Sequence, residues 1–339
     1  MKKPRNDKLR PDWRVYLGNR QERECWDLPE PPPWRPRRAL PESVPADEKR
    51  PPLAAATINN GRTYQVDDDA IQMVNAAIHL RRPLLVTGSP GSGKSTLVDS
   101  IAYELGLGEP LRWGVTSRST LRDALYSYDA IGRVQHQQQD AVNTQLVTIG
   151  NFIELGPLGT AMLPSHRPRI LLIDEIDKAD FDLPSDLLNI LDEGRFHIPE
   201  LSRLGRQDIE VQGFGGNGKV RITDGRVESY EFPLVILTSN GERDFPAPFL
   251  RRCLQLRMPD PFANRERLTA IVAAHLGASM AERSSDLITE FIDRAQRGEL
   301  LATDHLLNAA QLVMGAYAMN DDDRASLRNR LQTGLGRKS

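Results

Sequence analysis

The nine residues "GSPGSGKST", Gly88–Thr96, constrain this chain more than any other stretch. They follow the apolar run "PLLVTG" and open the amphipathic run "KSTLVDSIAYELGL", so a short buried strand is predicted to turn through glycines into a helix. The pattern G-x-x-x-x-G-K-[ST] has a mechanical reading. Gly88, Gly91 and Gly93 let the backbone curl until its N–H groups and the helix N-terminus face a phosphate chain, with Ser89, Pro90, Ser92 and Thr96 completing the cradle. Lys94 reaches the terminal phosphates, and Ser95 offers its hydroxyl to Mg2+. A chance glycine turn would not bring strand, lysine, hydroxyl and helix together in this order.

Two later runs, "RILLID" and "PLVILT", are continuously apolar, as strands buried on both faces of a parallel sheet are. The first ends in Asp174 and Glu175. Consecutive strand residues point to opposite sides, so these carboxylates are expected to do different jobs: Asp174 holds Mg2+ through water, and Glu175 orients the attacking water. Asp177 and Lys178, just beyond, read as solvated or structural. The second run continues as "FPLVILTSNGERDFPAPFLRRC", where Asn240 closes the strand with an amide able to bond a γ-phosphate and a lytic water together. An asparagine there also starts turns for local reasons. The adjacent Arg251 and Arg252 are left without a local task, except as a surface salt bridge to Asp244 or a later acid.

Strands alternate with helices from about residue 60, and from about 261 only helical periodicity remains, in "NRERLTAIVAAHL", "SSDLITEFIDRAQ", "TDHLLNAAQLVMGAYAM" and "DDRASLRNRLQTGL". The fold class is therefore α/β, a parallel-sheet core over 54–259 followed by a small helical domain over 260–339. Residues 1–53 stand apart as a Pro/Trp-rich segment. Three of the four tryptophans (Trp13, Trp26, Trp34) lie there, and their apolar surface favours docking, on this protein or on a partner, over a solvated tail. Lys plus Arg number 44 against 46 Asp plus Glu, a net charge of −2, which lacks the basic excess of a dedicated nucleic-acid binder. Cys25 and Cys253 have no metal-ligand spacing and read as free thiols of a soluble, cytoplasmic chain with no apolar run long enough for a membrane.

With these motifs in this order, the chain resembles an AAA+ ATPase: Walker A at 88–95, Walker B at 170–175, a sensor asparagine at 240, then arginines and a helical lid. Within that class it resembles the MoxR-like branch, in which one β-hairpin lies in the second helix region and another precedes the sensor strand. "YDAIGRVQHQQQDAVNTQLVTIGNFIELGPLGTAM" and "EGRFHIPELSRLGRQDIEVQGFGGNGKVRITDGRVESYEFP" occupy those places. The tail, with "LPEPPPWR", is similar to MoxR-like ATPases of bacterial conflict systems encoded beside von Willebrand A-type proteins. The resemblance implies ATP and Mg2+ as cofactors, a homo-oligomeric ring of hexameric type, and a protein substrate. It also implies a role for Arg251 or Arg252: completing a neighbouring subunit's site as an arginine finger. A lid arginine usual in the family has no counterpart in "LATDHLLNAA", where His305 reads as a helix-start residue capped by Thr303 or Asp304.

Three functions follow for weighing. The first is an ATP-hydrolysing oligomer that remodels or activates a protein partner. The second is a nucleotide-gated scaffold that recruits an effector, and the third a nucleic-acid motor. The motor is disfavoured because between 201 and 231 Asp208, Glu210, Asp224, Glu228 and Glu231 balance Arg203, Arg206, Lys219, Arg221 and Arg226. Phe214, in the glycine-rich "GFGGNGK", would suit a substrate-gripping pore loop, or a hairpin folded back on the body.

Overall fold

The computed structural model describes residues 13–35, 40, 44, 50–139, 148–205, 207–216, 218–299 and 301–313. Helices α1 (Ala55–Thr63) and α2 (Asp68–Leu80) precede strand β1 (Leu84–Thr87), the phosphate-loop region and α3 (Lys94–Leu105). Next come β2 (Leu111–Gly114), α4 (Leu121–Leu125), β3 (Tyr126–Tyr128), α5 (Ala130–Gln139), β4 (Ile153–Leu155), α6 (Pro157–Ala161) and β5 (Ile170–Asp174). After α7 (Leu183–Glu193) lie β6 (Arg195–His197), α8 (Pro199–Ser202), β7 (Asp208–Gln212), β8 (Lys219–Thr223), β9 (Arg226–Glu228) and β10 (Leu234–Ser239). The last core elements are α9 (Ala247–Arg252) and β11 (Leu254–Arg257). Four helices then follow: α10 (Arg265–Leu276), α11 (Ala278–Arg283), α12 (Ser285–Gln296) and α13 (Thr303–Val313).

The main sheet is parallel throughout, in the order β11-β1-β10-β5-β2. Its three central strands, β1, β10 and β5, are continuously apolar up to their last residues because alternate residues feed two cores. Leu85, Leu171, Ile173, Val235 and Leu237 pack on one face, while Leu84, Val86, Ile170, Leu172, Leu234 and Ile236 pack on the other against α2 and α3. A parallel sheet aligns all its carboxyl ends on one edge, which is where loops from different strands can meet around a ligand. The ends of β1, β10 and β5 are neighbours there. The helices after 260 enclose a third core built on Phe262, Leu268, Val272, Leu287 and Phe291. The run at 322–335, expected as a further helix, lies outside the described residues.

The two insertions behave differently from the two separate hairpins expected. They share one six-stranded sheet, β3-β4-β7-β8-β9-β6. In the first insertion β3 and β4 pair antiparallel, but helix α5 stands between them, and residues 140–147 are outside the described range. In the second, β7 and β8 form the hairpin. Phe214 at its turn is half-buried against the body's core, and its amide donates to Thr160 Oγ1 at 3.0 Å, so the folded-back alternative holds over the mobile grip.

The described part of the Pro/Trp segment docks on the body. Val15, Tyr16 and Trp26 are buried in the same core as α2 and α3, while Trp13 and Trp34 remain exposed. Polar side chains fasten its backbone: Asn75 accepts from the amides of Val15 and Tyr16, and Glu104 from those of Leu17 and Asn19. Trp26 Nε1 donates to Leu105 O at 2.9 Å. Among the described residues no helix is long and apolar enough to cross a membrane.

Candidate functional site

Gly91 and Gly93 adopt φ of +72° and +88°, the left-handed region that glycine enters without a Cβ penalty, and they wind the loop from β1 into α3. Gly91 is also packed too closely for a side chain, and Gly93 is tight. A Cβ on Gly91 would stand 2.7 Å from Ala302 Cβ in the helical domain, and one on Gly93 would stand 3.0 Å from the Tyr64 ring. Gly88 N donates to Ser239 O at 3.3 Å, tying the loop to β10. Ser92 Oγ is buried inside the loop without a hydrogen-bond partner.

Lys94 opens α3 and folds back over the loop, its Nζ donating to Gly88 O at 2.8 Å, Ser89 O at 3.0 Å and Asn240 Oδ1 at 2.8 Å. Burial lowers its pKa, opposed by the carboxylates of Asp174, Asp177 and Glu175. An ammonium held by three replaceable oxygens can exchange them for phosphate oxygens. Ser95 Oγ donates to Asp174 Oδ1 at 3.1 Å. This hydroxyl and carboxylate form an oxygen-only donor set of the kind that suits a hard cation such as Mg2+.

Asp174 and Glu175 do part company, though through a turn and not through strand alternation. Strand β5 stops at Asp174, and Glu175 takes φ +59°, a left-handed conformation uncommon outside glycine. Its carboxylate then meets Lys178 Nζ at 2.6 Å and Asn240 Nδ2 at 3.5 Å. Thr238, which the sequence reading passed over, holds this geometry: its hydroxyl donates to Asp174 Oδ1 and accepts from Glu175 N at 2.9 Å. Asp177 is buried, not solvated, and Oδ2 accepts from the amides of Asn240 and Glu242. The only advance signal for both was their position two or three residues from Asn240 and Asp174, which the strand ends single out.

The structure therefore brings together Gly88–Thr96, Asp174, Glu175 and Asn240. It does not bring the arginines to them. Among the described residues the Arg251 side chain donates only to Ala247 O of its own helix, and Arg252 pairs with Asp192 at 3.2 Å in place of the expected Asp244 or later acid. Arg82 donates to the carbonyls of both, fixing the end of α9. Asp192 also receives Arg35 of the N-terminal segment at 2.6 Å.

The helical domain rests directly on the loop. Thr303 Oγ1, in the first turn of α13, donates to Gly91 O at 2.7 Å, and His305 stands beside it half-buried. Arg267 of α10 pairs with Asp67 at 3.2 Å, next to Tyr64, whose hydroxyl is buried without a partner and raised in pKa by that burial. Sequence periodicity gave no reason to single out Tyr64 or Arg267.

Residues 83–246 match the family described as the AAA domain, dynein-related subfamily. No curated protein matches the chain.

Proposed function

From a chain whose residues 83–246 carry an AAA domain on a P-loop α/β core with a helical lid, we propose an ATPase that works as a MoxR-like oligomer to remodel or activate a protein partner. One observation carries this reading. Lys94, Asn240, Glu175 and Lys178 form a continuous chain of polar contacts across the ends of β1, β10 and β5, with Asp174 and Ser95 paired beside it. In the proposed reaction water attacks the γ-phosphorus, an O–P bond forms, the bond to the β–γ bridging oxygen breaks, and Glu175 takes the proton from water. Asn240 orients that water and the γ-phosphate. Ser95 and, through water, Asp174 would hold Mg2+, which supplies charge neutralisation on the phosphates.

No cation from α9 reaches this cluster in its own subunit, which supports the reading that Arg251 or Arg252 acts on a neighbour's γ-phosphate. The Arg252–Asp192 pair is exposed on both sides, and such pairs contribute little, so it can be exchanged for a phosphate. A von Willebrand A-type partner of the kind found in conflict systems fits the proposal but rests on the tail's resemblance alone.

The test is the solution mass of Glu175→Gln with ATP and with ADP, together with turnover of Arg251→Ala, Arg252→Ala and the double variant. An arginine finger is worth about 10³–10⁵ in kcat, so the double variant should fall by that order in turnover while still binding ATP. Unchanged turnover in the double variant, or a monomer in every nucleotide state, would rule out the shared site.

A further inference from the structure

Asp177 lies in the single 3-10 turn Ile176–Lys178 that follows Glu175, and it is 5 % exposed. A carboxylate withdrawn from water this far is retained only where something compensates it. Here Oδ2 accepts two backbone amides, Asn240 N at 3.0 Å and Glu242 N at 3.2 Å, while Oδ1 is buried without a hydrogen-bond partner. Both amides belong to one loop. Its first residue, Asn240, carries the side chain that touches Lys94 and Glu175, and the same loop runs on to α9 with Arg251 and Arg252.

Among the described residues no other side chain of the β5 turn holds the Asn240 backbone amide. The amide of Gly241 turns inward to Ser239 Oγ at 3.0 Å, and Gly241 itself takes φ +77°, so the chain reverses sharply between the two amides that Asp177 grips. A single acceptor bridging the two sides of a reversal fixes the direction in which the asparagine side chain leaves the strand.

We propose that Asp177 is a positioning residue for hydrolysis: by clamping the amides of Asn240 and Glu242 to the turn that carries Glu175, it keeps sensor amide and carboxylate in one geometry. The proposal rests on the hydrolytic reading of Glu175 and Asn240. It requires an acceptor oxygen at this place, not a negative charge. An asparagine at 177 can present its Oδ1 to both amides, whereas alanine presents nothing, and serine is too short to span them.

The experiment compares Asp177→Asn, Asp177→Ala and Asp177→Ser in the full chain, measuring kcat, KM, the Kd for a fluorescent ATP analogue and the melting temperature. Misplacing a catalytic group by about 1 Å can cost about 100-fold, so Asp177→Ala and Asp177→Ser are expected to lose about 10- to 100-fold in kcat with Kd changed by less than about 3-fold. Asp177→Asn should stay within about 3-fold of the parent, the rescue that an acceptor role requires. Should the alanine variant fail to fold, the serine and asparagine variants give the same contrast. The proposal is overturned if Asp177→Ser turns over like the parent, or if Asp177→Asn is as impaired as Asp177→Ser. A fall in activity that only tracks melting temperature overturns it as well. Full turnover in Glu175→Gln and Asn240→Ala would instead overturn the hydrolytic reading, whatever Asp177 does.

Discussion

Lys94 Nζ and Asn240 Oδ1 lie 2.8 Å apart, so the lysine of the phosphate loop and the amide at the end of β10 hold one another across the ends of β1 and β10. A phosphate bound by Lys94 would lie against the same amide. Lys94→Ala is therefore expected to lose nucleotide binding, whereas Asn240→Ala and Glu175→Gln should keep binding and lose turnover. Titration with a fluorescent ATP analogue alongside phosphate release separates the two classes. Retained turnover in Glu175→Gln would remove Glu175 as the base.

Thr238 is the buried hydroxyl that joins Asp174 to the Glu175 amide. Thr238→Val keeps the shape and removes both bonds, leaving the half-buried Asp174 carboxylate with Ser95 as its remaining partner and the Glu175 N–H without one. The expected cost is about 1–3 kcal/mol of stability with reduced turnover. Denaturant unfolding checks it, and a variant as stable and active as the parent would mean that Asp174 is held by other groups.

Gly91 is under two constraints, its φ of +72° and its contact with Ala302. Gly91→Ala should cost about 1–2 kcal/mol from the backbone alone and force the helical domain off the loop. Thr303→Val, which removes only the hydrogen bond to Gly91 O, should do less. Proteolysis and nucleotide affinity of the two variants give the order, and equal effects would mean the packing contact contributes nothing.

Glu104 links the N-terminal segment to α3, and its burial raises the carboxyl's pKa even though the amides of Leu17 and Asn19 pull it down. Between the ordinary carboxylate value and this higher one the folded state holds more protons than the unfolded state. Stability therefore falls as pH rises through that window. Glu104→Gln cannot titrate, so the parent's melting temperature relative to the variant's should decline as pH rises above the ordinary carboxylate range. Parallel curves would show that Glu104 does not titrate there.

Much of this architecture is legible in the chain itself, for reasons that are local. A glycine pattern followed by lysine and serine specifies a backbone curl and its phosphate chemistry, and unbroken apolar runs as short as these fit strands covered on both faces. Asp174, Glu175 and Asn240 were readable because they stand at the ends of such strands, where a parallel sheet collects its loops. Asp177, Thr238, Tyr64 and Arg267 were not, because their roles depend on partners 63 or more positions away or on burial that no period in the sequence announces. Asp177, for instance, looks like one more charge in "DEIDKAD", and only the return of β10 beside β5 puts two amides against it. The same holds for Arg252, whose pairing with Asp192 follows from where α7 and α9 pack. The sequence by itself determined the phosphate loop, the acids and the order of core and helical lid. Only the tertiary structure decided which side chains restrain them, since hydrogen bonds across a sheet are set by strand order and register, not by distance along the chain.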